Sequence, residues 1–250
     1  MLMSMEFLGR ARVLAASREV VLSRQCLSFL AYLALHRDID HPREILIETF
    51  WADQDPARAR SSLGSALCRF RKALTFDGMV GLELSPLGDP RLSSSISIWA
   101  DIWAFEAGLK PALAAAEGEL QQELANGLVA SLVHYKGDLL RGWYDDWILT
   151  ERERLHLLFL RGHRRLMEHH IASGDLEAGL AAGQAALRLE PLHEMVQQRV
   201  IELYARTGQR GAALRQYKRL VALLKAELGV APARETRALV DRIRDTYDCM

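Results

Sequence analysis

From Asp101 onward the sequence repeats one pattern, in which apolar residues recur at three- and four-residue spacing and glycine or proline interrupts each run. Seven such runs follow one another, at residues 102–116, 119–135, 147–171, 176–189, 193–206, 210–227 and 233–247. The breaks fall at Gly137, Gly142, Gly174, Pro191, Gly208 and Gly229. Because short loops return each helix against its neighbour, the pattern predicts paired helices throughout this part of the chain.

The helical runs also show a repeat. Gly174 and Gly208 lie 34 residues apart, which is the period of the tetratricopeptide repeat. Several consensus positions of that repeat are matched, at Gly174, Ala186 and Pro191 and again at Gly208, Ala213 and Tyr217. Gly179 and Gly183 stand where larger residues are usual, and their small size predicts an unusually close approach of helices. The sequence therefore indicates a solenoid of helical hairpins.

The residues before Asp101 have a mixed pattern. Near-alternation over 5–14 and 18–22 predicts a short β-hairpin or small sheet. A helix is predicted over 24–36 after the N-cap Ser23, and another over 42–51 with Ile45, Leu46, Thr49 and Phe50 facing inward. A third helix covers 55–74, and extended segments at 80–85 and 93–99 are joined by the Pro- and Gly-containing turn 86–91. Strands, three helices and a terminal hairpin together predict a winged helix-turn-helix.

The third helix has two faces of different character. Asp55 is a good N-cap, and Pro56 suits the first helical position. One stripe is apolar and is expected to pack, and it consists of Ala59, Leu63, Ala66, Leu67, Phe70 and Leu74. Between Pro56 and Thr75 every charged residue is basic, which gives a local charge of +5 from Arg58, Arg60, Arg69, Arg71 and Lys72. This helix is the candidate DNA-reading element, although a solvated amphipathic helix has the same pattern.

Roles within a DNA interface can be divided by position. A recognition helix reads bases mainly through its early turns, where Arg takes guanine edges and Ser can serve any base. The residues expected in the groove are Arg58, Ser61, Ser62, Ser65 and Arg69. Those expected to hold phosphates are Arg71, Lys72, Arg24, Arg43 and Arg91, and Arg60 can act in either way.

Composition excludes several other classes. Lys plus Arg and Asp plus Glu both number 32, so no general affinity for polyanions is indicated. The three cysteines have neither disulfide-framework nor zinc-finger spacing, and no apolar run approaches the length of a membrane span, which predicts a cytoplasmic protein. His156, His163 and His170 are seven residues apart, about 10.5 Å along a helix, which is too far for one metal ion to bind two of them.

No enzyme signature occurs: the phosphate-binding, dinucleotide-binding, zinc-protease and nucleophile-elbow motifs are all missing from the sequence. The neighbouring acids Asp145 and Asp146 point apart on a helix and do not form a catalytic pair. Trp143, Tyr144 and Trp147 stand beside them and are expected to fill the end of a helical bundle. The sequence therefore predicts a protein that is not an enzyme and that uses no cofactor and no metal.

A set of motifs, in order, resembles the antibiotic-regulatory (SARP-type) transcriptional activators. In the first half the matching runs are 45–51, 56–63 and 69–74. In the second half they are 135–142, 145–147, 151–155, 212–217 and 227–232. The resemblance covers nearly the whole chain. One departure is the serine-rich stretch 90–97, where relatives have a Gly- and Tyr-rich wing strand, although Asp101 to Phe105 keeps the family's junction.

The resemblance implies a mainly α fold with two parts. Residues 1–104 would form an OmpR-like winged helix-turn-helix of small β-sheets and three helices. Residues 105–250 would form an all-α, tetratricopeptide-like bacterial transcriptional activation domain. The chain would be a minimal member, without the further domains of larger relatives. The implied function is activation of transcription through promoter-upstream direct repeats and contact with RNA polymerase, as a homodimer or as tandem protomers on DNA.

Two other functions fit the same residues. The helical repeats could form a protein–protein adaptor that holds a peptide, with the first domain as a cap that does not bind DNA. A small effector could also bind among Gly179, Gly183 and their neighbours, and this would be compatible with a DNA-binding activator.

Overall fold

A computed structural model of the chain describes residues 2–37, 39, 41–76, 78–116 and 120–248. The residues form two compact units, neither of which is one continuous stretch. Unit 1 contains residues 1–107 and 133–155, and unit 2 contains residues 108–132 and 156–250. These compact units are not the predicted domains, because residues 133–155 belong to the first unit. The predicted domain boundary between residues 104 and 105 stays a prediction.

Unit 1 contains a sheet formed by β1 (Leu2–Glu6), β2 (Arg12–Ala15), β3 (Arg18–Val20) and β8 (Ser97–Ala100). The order of these four strands in the sheet is β3-β2-β1-β8. The first three strands form the antiparallel meander that near-alternation predicts, with Met5 opposite Val13. Strand β8 joins the other side of β1 in parallel register, with Met3 opposite Ile98.

Unit 1 also contains the helices α1 (Arg24–Leu35), α2 (Arg43–Trp51) and α3 (Pro56–Ala73), of which α2 and α3 pack against each other. Ser23 caps α1 as predicted, because its side chain accepts a hydrogen bond from the amide of Cys26. The core is aromatic at its centre, where the ring of Phe29 lies 5.4 Å from that of Phe50 and 5.3 Å from that of Phe70. In α2 the predicted inward face is partly wrong, since Leu46 is buried but Ile45 is 47% exposed.

The remaining strands of unit 1 form two small ribbons. Strands β4 (Thr75–Phe76) and β5 (Met79–Val80) pair, and so do β6 (Leu82–Leu84) and β7 (Pro90–Leu92). The predicted turn is present between β6 and β7. The predicted second strand at 93–99 is wrong as a hairpin partner, because Pro90–Leu92 pairs with β6 and Ser97–Ala100 belongs to the larger sheet.

Residues 133–155 complete unit 1. Leu139 makes an isolated bridge with Leu8, and the guanidinium of Arg152 donates hydrogen bonds to the carbonyls of Leu139, Leu140 and Trp143. The ring of Trp147 packs edge-on against Tyr32 at 5.3 Å, so this half-buried residue contacts the core but is not enclosed in it. Tyr144 is 73% exposed, and the expectation that it is core is wrong.

Seven helices follow β8 in the described ranges 101–116 and 120–248, with bounds close to the predicted ones. They are α4 (Asp101–Ala114), α5 (Gln122–Leu132), α6 (Asp146–Ala172), α7 (Leu176–Leu189), α8 (Glu194–Arg206), α9 (Arg210–Glu227) and α10 (Arg234–Asp248). The predicted helix start at 119 lies outside the described residues. Along the described chain, no helix combines the length and hydropathy needed to cross a membrane.

Unit 2 is built from successive helical pairs. Helix α8 packs on both α7 and α9, and one buried cluster joins α8, α9 and α10. At Gly183 an added Cβ would lie 2.5 Å from Cγ2 of Val200, so the predicted close helix approach is confirmed there. An added Cβ at Gly179 would make only ordinary contacts, at 3.5 Å or more. Since the space at Gly183 is filled, it is not a place for a small effector.

Candidate nucleic-acid interface

Helix α3 begins as its sequence dictates. The side chain of Asp55 accepts a hydrogen bond from the amide of Arg58 at 3.1 Å, and Pro56 occupies the first turn, where no amide partner is needed. The helix then runs without interruption to Ala73. Its 18 residues make a rod about 27 Å long, which can extend across a DNA major groove.

One side of α3 is committed to the core. The six residues of the predicted apolar stripe are all buried: Ala59, Leu63, Ala66, Leu67, Phe70 and Leu74. This burial fixes the rotation of the helix, because the residues at the intervening positions must then face away from the core. The opposite face is therefore rigidly presented rather than free to turn.

The outward face carries a line of small or flexible polar side chains. Ser61, Ser65, Cys68 and Lys72 follow one another at three- and four-residue spacing, opposite the buried stripe, and all four are exposed. Arg58 and Arg69 lie along one side of this line, and Arg60 and Arg71 along the other. We call these eight residues the α3 face.

The five cations of the α3 face are exposed. Within the described part of the chain, none of them forms an ion pair. Uncompensated guanidinium groups on a rigid helix attract phosphates, and they are free to form bidentate hydrogen bonds with an anion or with guanine. The face is thus chemically suited to a duplex nucleic acid.

Ser62 differs from the other predicted groove residues. It is half-buried, and its hydroxyl donates a hydrogen bond to Oε1 of Gln54 at 2.8 Å. The hydroxyl therefore helps to hold the segment before α3 against the helix. Its predicted role in reading bases stays a prediction, with less of the side chain available than at Ser61 or Ser65.

The three predicted phosphate anchors outside α3 all have partners within unit 1. The guanidinium of Arg24 lies over the ring of Trp143, 4.9 Å from its centroid. Arg43 is half-buried and donates to the carbonyl of Gly88 at 3.2 Å, which ties α2 to the turn between β6 and β7. Arg91 pairs with Glu83 at 3.5 Å. These contacts give Arg43 a structural role and leave Arg24 and Arg91 only partly available.

The β6–β7 ribbon is the wing of the winged helix, and its charged side chains Glu83 and Arg91 pair with each other. Glu83 accepts hydrogen bonds from Ser93 and, at 2.9 Å, from Ser95. The bond from Ser93, aided by Ser95 and the charge of Arg91, lowers the pKa of the Glu83 carboxyl below its usual value. The serine-rich departure from the family pattern thus has a structural explanation, since its hydroxyls hold a wing carboxylate.

Two residues on the exposed side of α3 were not predicted as site residues from the sequence. Cys68 carries an exposed free thiol in the middle of the α3 face, and the repeat of exposed positions every three to four residues was the signal that could have found it. Gly64 lies in the middle of the helix, where an added Cβ would meet no atom within 4 Å. Glycine costs a helix up to about 1 kcal/mol relative to alanine. Nothing in the described packing requires glycine at this position.

The histidines of α6 have separate surroundings. His156 lies 3.4 Å from a carboxylate oxygen of Glu190, and His163 is buried with its ring 4.5 Å from that of Phe159. Burial lowers the pKa of His163 to about 4, so this ring is neutral near pH 7. His156 therefore has a pairing role and His163 a packing role.

Comparison with known proteins assigns the helical part of the chain. Residues 100–244, more than half of the 250, match the family model described as the bacterial transcriptional activator domain. The chain belongs to this family. The resemblance to SARP-type activators is thereby confirmed, and the structural match described below confirms the fold class. The family model is that of a transcriptional activator domain, and the relatives that follow are named as transcriptional regulatory proteins and not as enzymes.

Individual relatives of this activator are regulators from mycobacteria. The transcriptional regulatory protein MoaR1 of Mycobacterium tuberculosis is 25% identical over 225 residues, which cover 86% of this chain and 70% of MoaR1. The transcriptional regulatory protein EmbR of the same species is 28% identical over 218 residues and is covered to 56% of its length. A solved structure of M. tuberculosis EmbR in complex with a low-affinity phosphopeptide matches 98% of this chain and 65% of that one, with a TM-score of 0.71 and 25% identity.

Proposed function

We propose that this activator binds promoter DNA through α3 and then contacts RNA polymerase. The observation that carries the proposal is the α3 face, in which five exposed cations without ion-pair partners in the described chain surround Ser61 and Ser65 on a helix fixed by its buried stripe. Arg58 and Arg69 read base edges in the major groove, and Arg60, Arg71 and Lys72 hold phosphates. The wing and Arg24 add secondary contacts.

Gly64 supports the same placement. Glycine in a helix interior is expected where another backbone or a ligand approaches closely. Because the protein itself leaves open space around Gly64, the close neighbour would be a partner of this helix. A duplex whose sugar-phosphate edge passes near the middle of α3 meets that requirement.

Direct repeats and polymerase are the further parts of the proposal. Membership of an activator family supports them. Two protomers would bind successive half-sites about 10.5 bp apart, so that each α3 enters the same side of the duplex. Unit 2 would then be available to a neighbouring protomer or to the polymerase.

The test starts with a DNA site obtained by selection from a pool of random duplexes, so the selection itself supplies the binding sequence. Fluorescence anisotropy then measures binding of the full chain and of its variants to that site. Arg58→Ala and Arg69→Ala are each expected to weaken specific binding by about 1–3 kcal/mol and to relax the base preference near the lost contact. Lys72→Ala is expected to weaken binding to all DNA sequences by the same factor. The slope of log affinity against log salt concentration is expected to become shallower by about 0.9, the value for one lost phosphate contact.

Arg219→Ala is the matched control, because it removes an exposed charge from α9 in unit 2, where the proposal places no DNA contact. If Arg58→Ala, Arg69→Ala and Arg219→Ala all lost the same DNA-binding affinity, the effect would come from the lost positive charge alone. That result would contradict the proposal. A peptide-binding adaptor would give no selected site and no salt-dependent DNA affinity at all.

A further inference from the structure

Unit 2 contains a cleft that no part of the proposed DNA function uses. It lies between α6, α8 and α10 and has a volume of about 530 Å³. Clefts that hold drug-sized ligands span roughly 300–1,000 Å³. The size of the cleft therefore favours a small molecule as its occupant.

The floor of the cleft is apolar and consists of buried side chains. Leu160, Met167, Val196 and Leu239 are all buried and line it. Near them Leu157 and Met195 are 49% and 62% exposed, although both are large apolar side chains. Covering these two residues would bury apolar area that now faces water, which favours binding. An apolar or aromatic ligand body gains binding energy at this place.

Charged side chains around the cleft have one predominant sign. The charged lining residues are Arg161, Arg164, Arg199, Arg242, Glu168 and Glu202, a formal balance of four positive and two negative charges. Arg164 lies 3.8 Å from Glu168, and Arg199 pairs with Glu202 at 2.8 Å. Arg161 is exposed and forms no ion pair within the described chain. Its guanidinium is the group best placed to receive an anion.

We propose that this cleft is a binding site for a small amphipathic anion, a carboxylate or sulfonate carried on an apolar or aromatic body. The body rests on Leu160, Met167 and Leu239, between the exposed side chains of Leu157 and Met195. The anionic group pairs with Arg161, where a bidentate hydrogen bond gives orientation as well as affinity. Such a ligand bridges α6 to α8 and α10, so it stabilises unit 2 when bound.

The experiment uses the full chain without DNA, which keeps its outcome independent of the proposed function. Two fluorescent probes share one aromatic skeleton: 8-anilinonaphthalene-1-sulfonate carries the anionic group, and N-phenyl-1-naphthylamine lacks it. We expect saturable binding of the sulfonate at one site per chain. Arg161→Gln is expected to weaken binding of the sulfonate by about five- to tenfold. Its effect on the affinity of the uncharged probe is expected to be less than about twofold.

A second variant tests the apolar part. Met195→Trp fills the cleft from an exposed position and is expected to weaken both probes by at least about fivefold, because the ligand body loses its place. The controls are Arg219→Gln on α9 and Leu228→Trp, at a residue that is 59% exposed and does not line the cleft. Both controls are expected to bind the probes as the original chain does. Circular dichroism verifies that all four variants are folded.

Any one of four results would overturn the proposal. The sulfonate could fail to saturate at one site, or Arg161→Gln could match Arg219→Gln, or Met195→Trp could match Leu228→Trp. A fourth result is that Met195→Trp abolishes self-association measured by sedimentation while probe affinity stays unchanged. In that case a second copy of the chain occupies the cleft, and the small-molecule assignment is wrong.

Discussion

Asp101 links the sheet of unit 1 to the helix that follows it. Its Oδ2 atom accepts hydrogen bonds from the amides of Phe7 and Leu8, each at 2.8 Å, although the side chain is almost fully buried. Burial is the largest influence on this carboxyl and raises its pKa to about 6, against the opposing effect of the amide hydrogen bonds. The same residue therefore fastens the end of β1 and keeps a titratable group in the core.

This pKa makes stability depend on pH in a defined direction. The folded chain holds the Asp101 proton more tightly than the unfolded chain, whose pKa is near 3.8, so the contribution is present at low pH and is lost as pH rises through 6. In urea unfolding, the stability of the original chain relative to Asp101→Asn is expected to fall by about 2 kcal/mol between pH 4 and pH 7. The control Asp53→Asn removes an exposed carboxylate, and an equal fall against that variant would contradict the assignment.

Single residues were predictable from the sequence where a local rule decides them. Ser23 and Asp55 are caps because their oxygens reach amides only three residues away, and the buried stripe of α3 follows from its spacing. Ile45 and Tyr144 were not predictable in this way. Their exposure depends on which neighbours arrive from distant parts of the chain, and hydrophobicity alone does not carry that information.

At the scale of elements, helices were more predictable than strand partners. A helix satisfies its hydrogen bonds within itself, so periodicity and caps locate it. A strand needs a partner, and alternation over 93–99 could not show that Ser97–Ala100 pairs in parallel with β1. The five cations of α3 were predictable as a cluster. Their contrast with Arg24, Arg43 and Arg91, which have partners in the fold, required the structure.

Helix α3 gives a prediction in which stability and binding change in opposite directions. Gly64→Ala adds a methyl group into open space and is expected to stabilise the folded chain by about 0.5–1 kcal/mol. The same methyl lies on the exposed part of the helix, so it is expected to weaken binding to the selected DNA site severalfold. Thermal unfolding and anisotropy on the same samples measure the two effects.

Gly127→Ala on α5 is the matched control, because an added Cβ there also meets no atom within 4 Å. It is expected to give the gain in stability without any change in DNA binding. If Gly64→Ala also left DNA binding unchanged, a duplex would not pass close to the middle of α3, and the placement of this helix in the groove would need revision.

At the scale of the whole molecule, chain order and compactness do not coincide. The chain passes between the two units at residues 107–108, 132–133 and 155–156, so 133–155 complete the unit that carries α3. Periodicity predicted the helix that contains Trp147, but the unit to which residues 133–155 belong depends on contacts such as that of Trp147 with Tyr32. An isolated fragment ending at residue 104 would lack Trp147 and Arg152, and it would therefore be a poor substitute for the full chain in DNA-binding experiments.

The arrangement of protomers on DNA follows from how one helix meets one groove. If two protomers bind a direct repeat with about 10.5 bp between half-site centres, both lie on the same side of the duplex and can touch. Inserting about 5 bp turns the second site by half a helical turn, so the protomers separate and cooperative binding is expected to fall at least tenfold. Inserting about 10 or 11 bp returns the second protomer to the same side of the duplex and is expected to recover part of the cooperativity.

Binding to a single half-site, measured in parallel, should not change. Preference for an inverted repeat instead would require a two-fold symmetric dimer and would contradict the tandem arrangement.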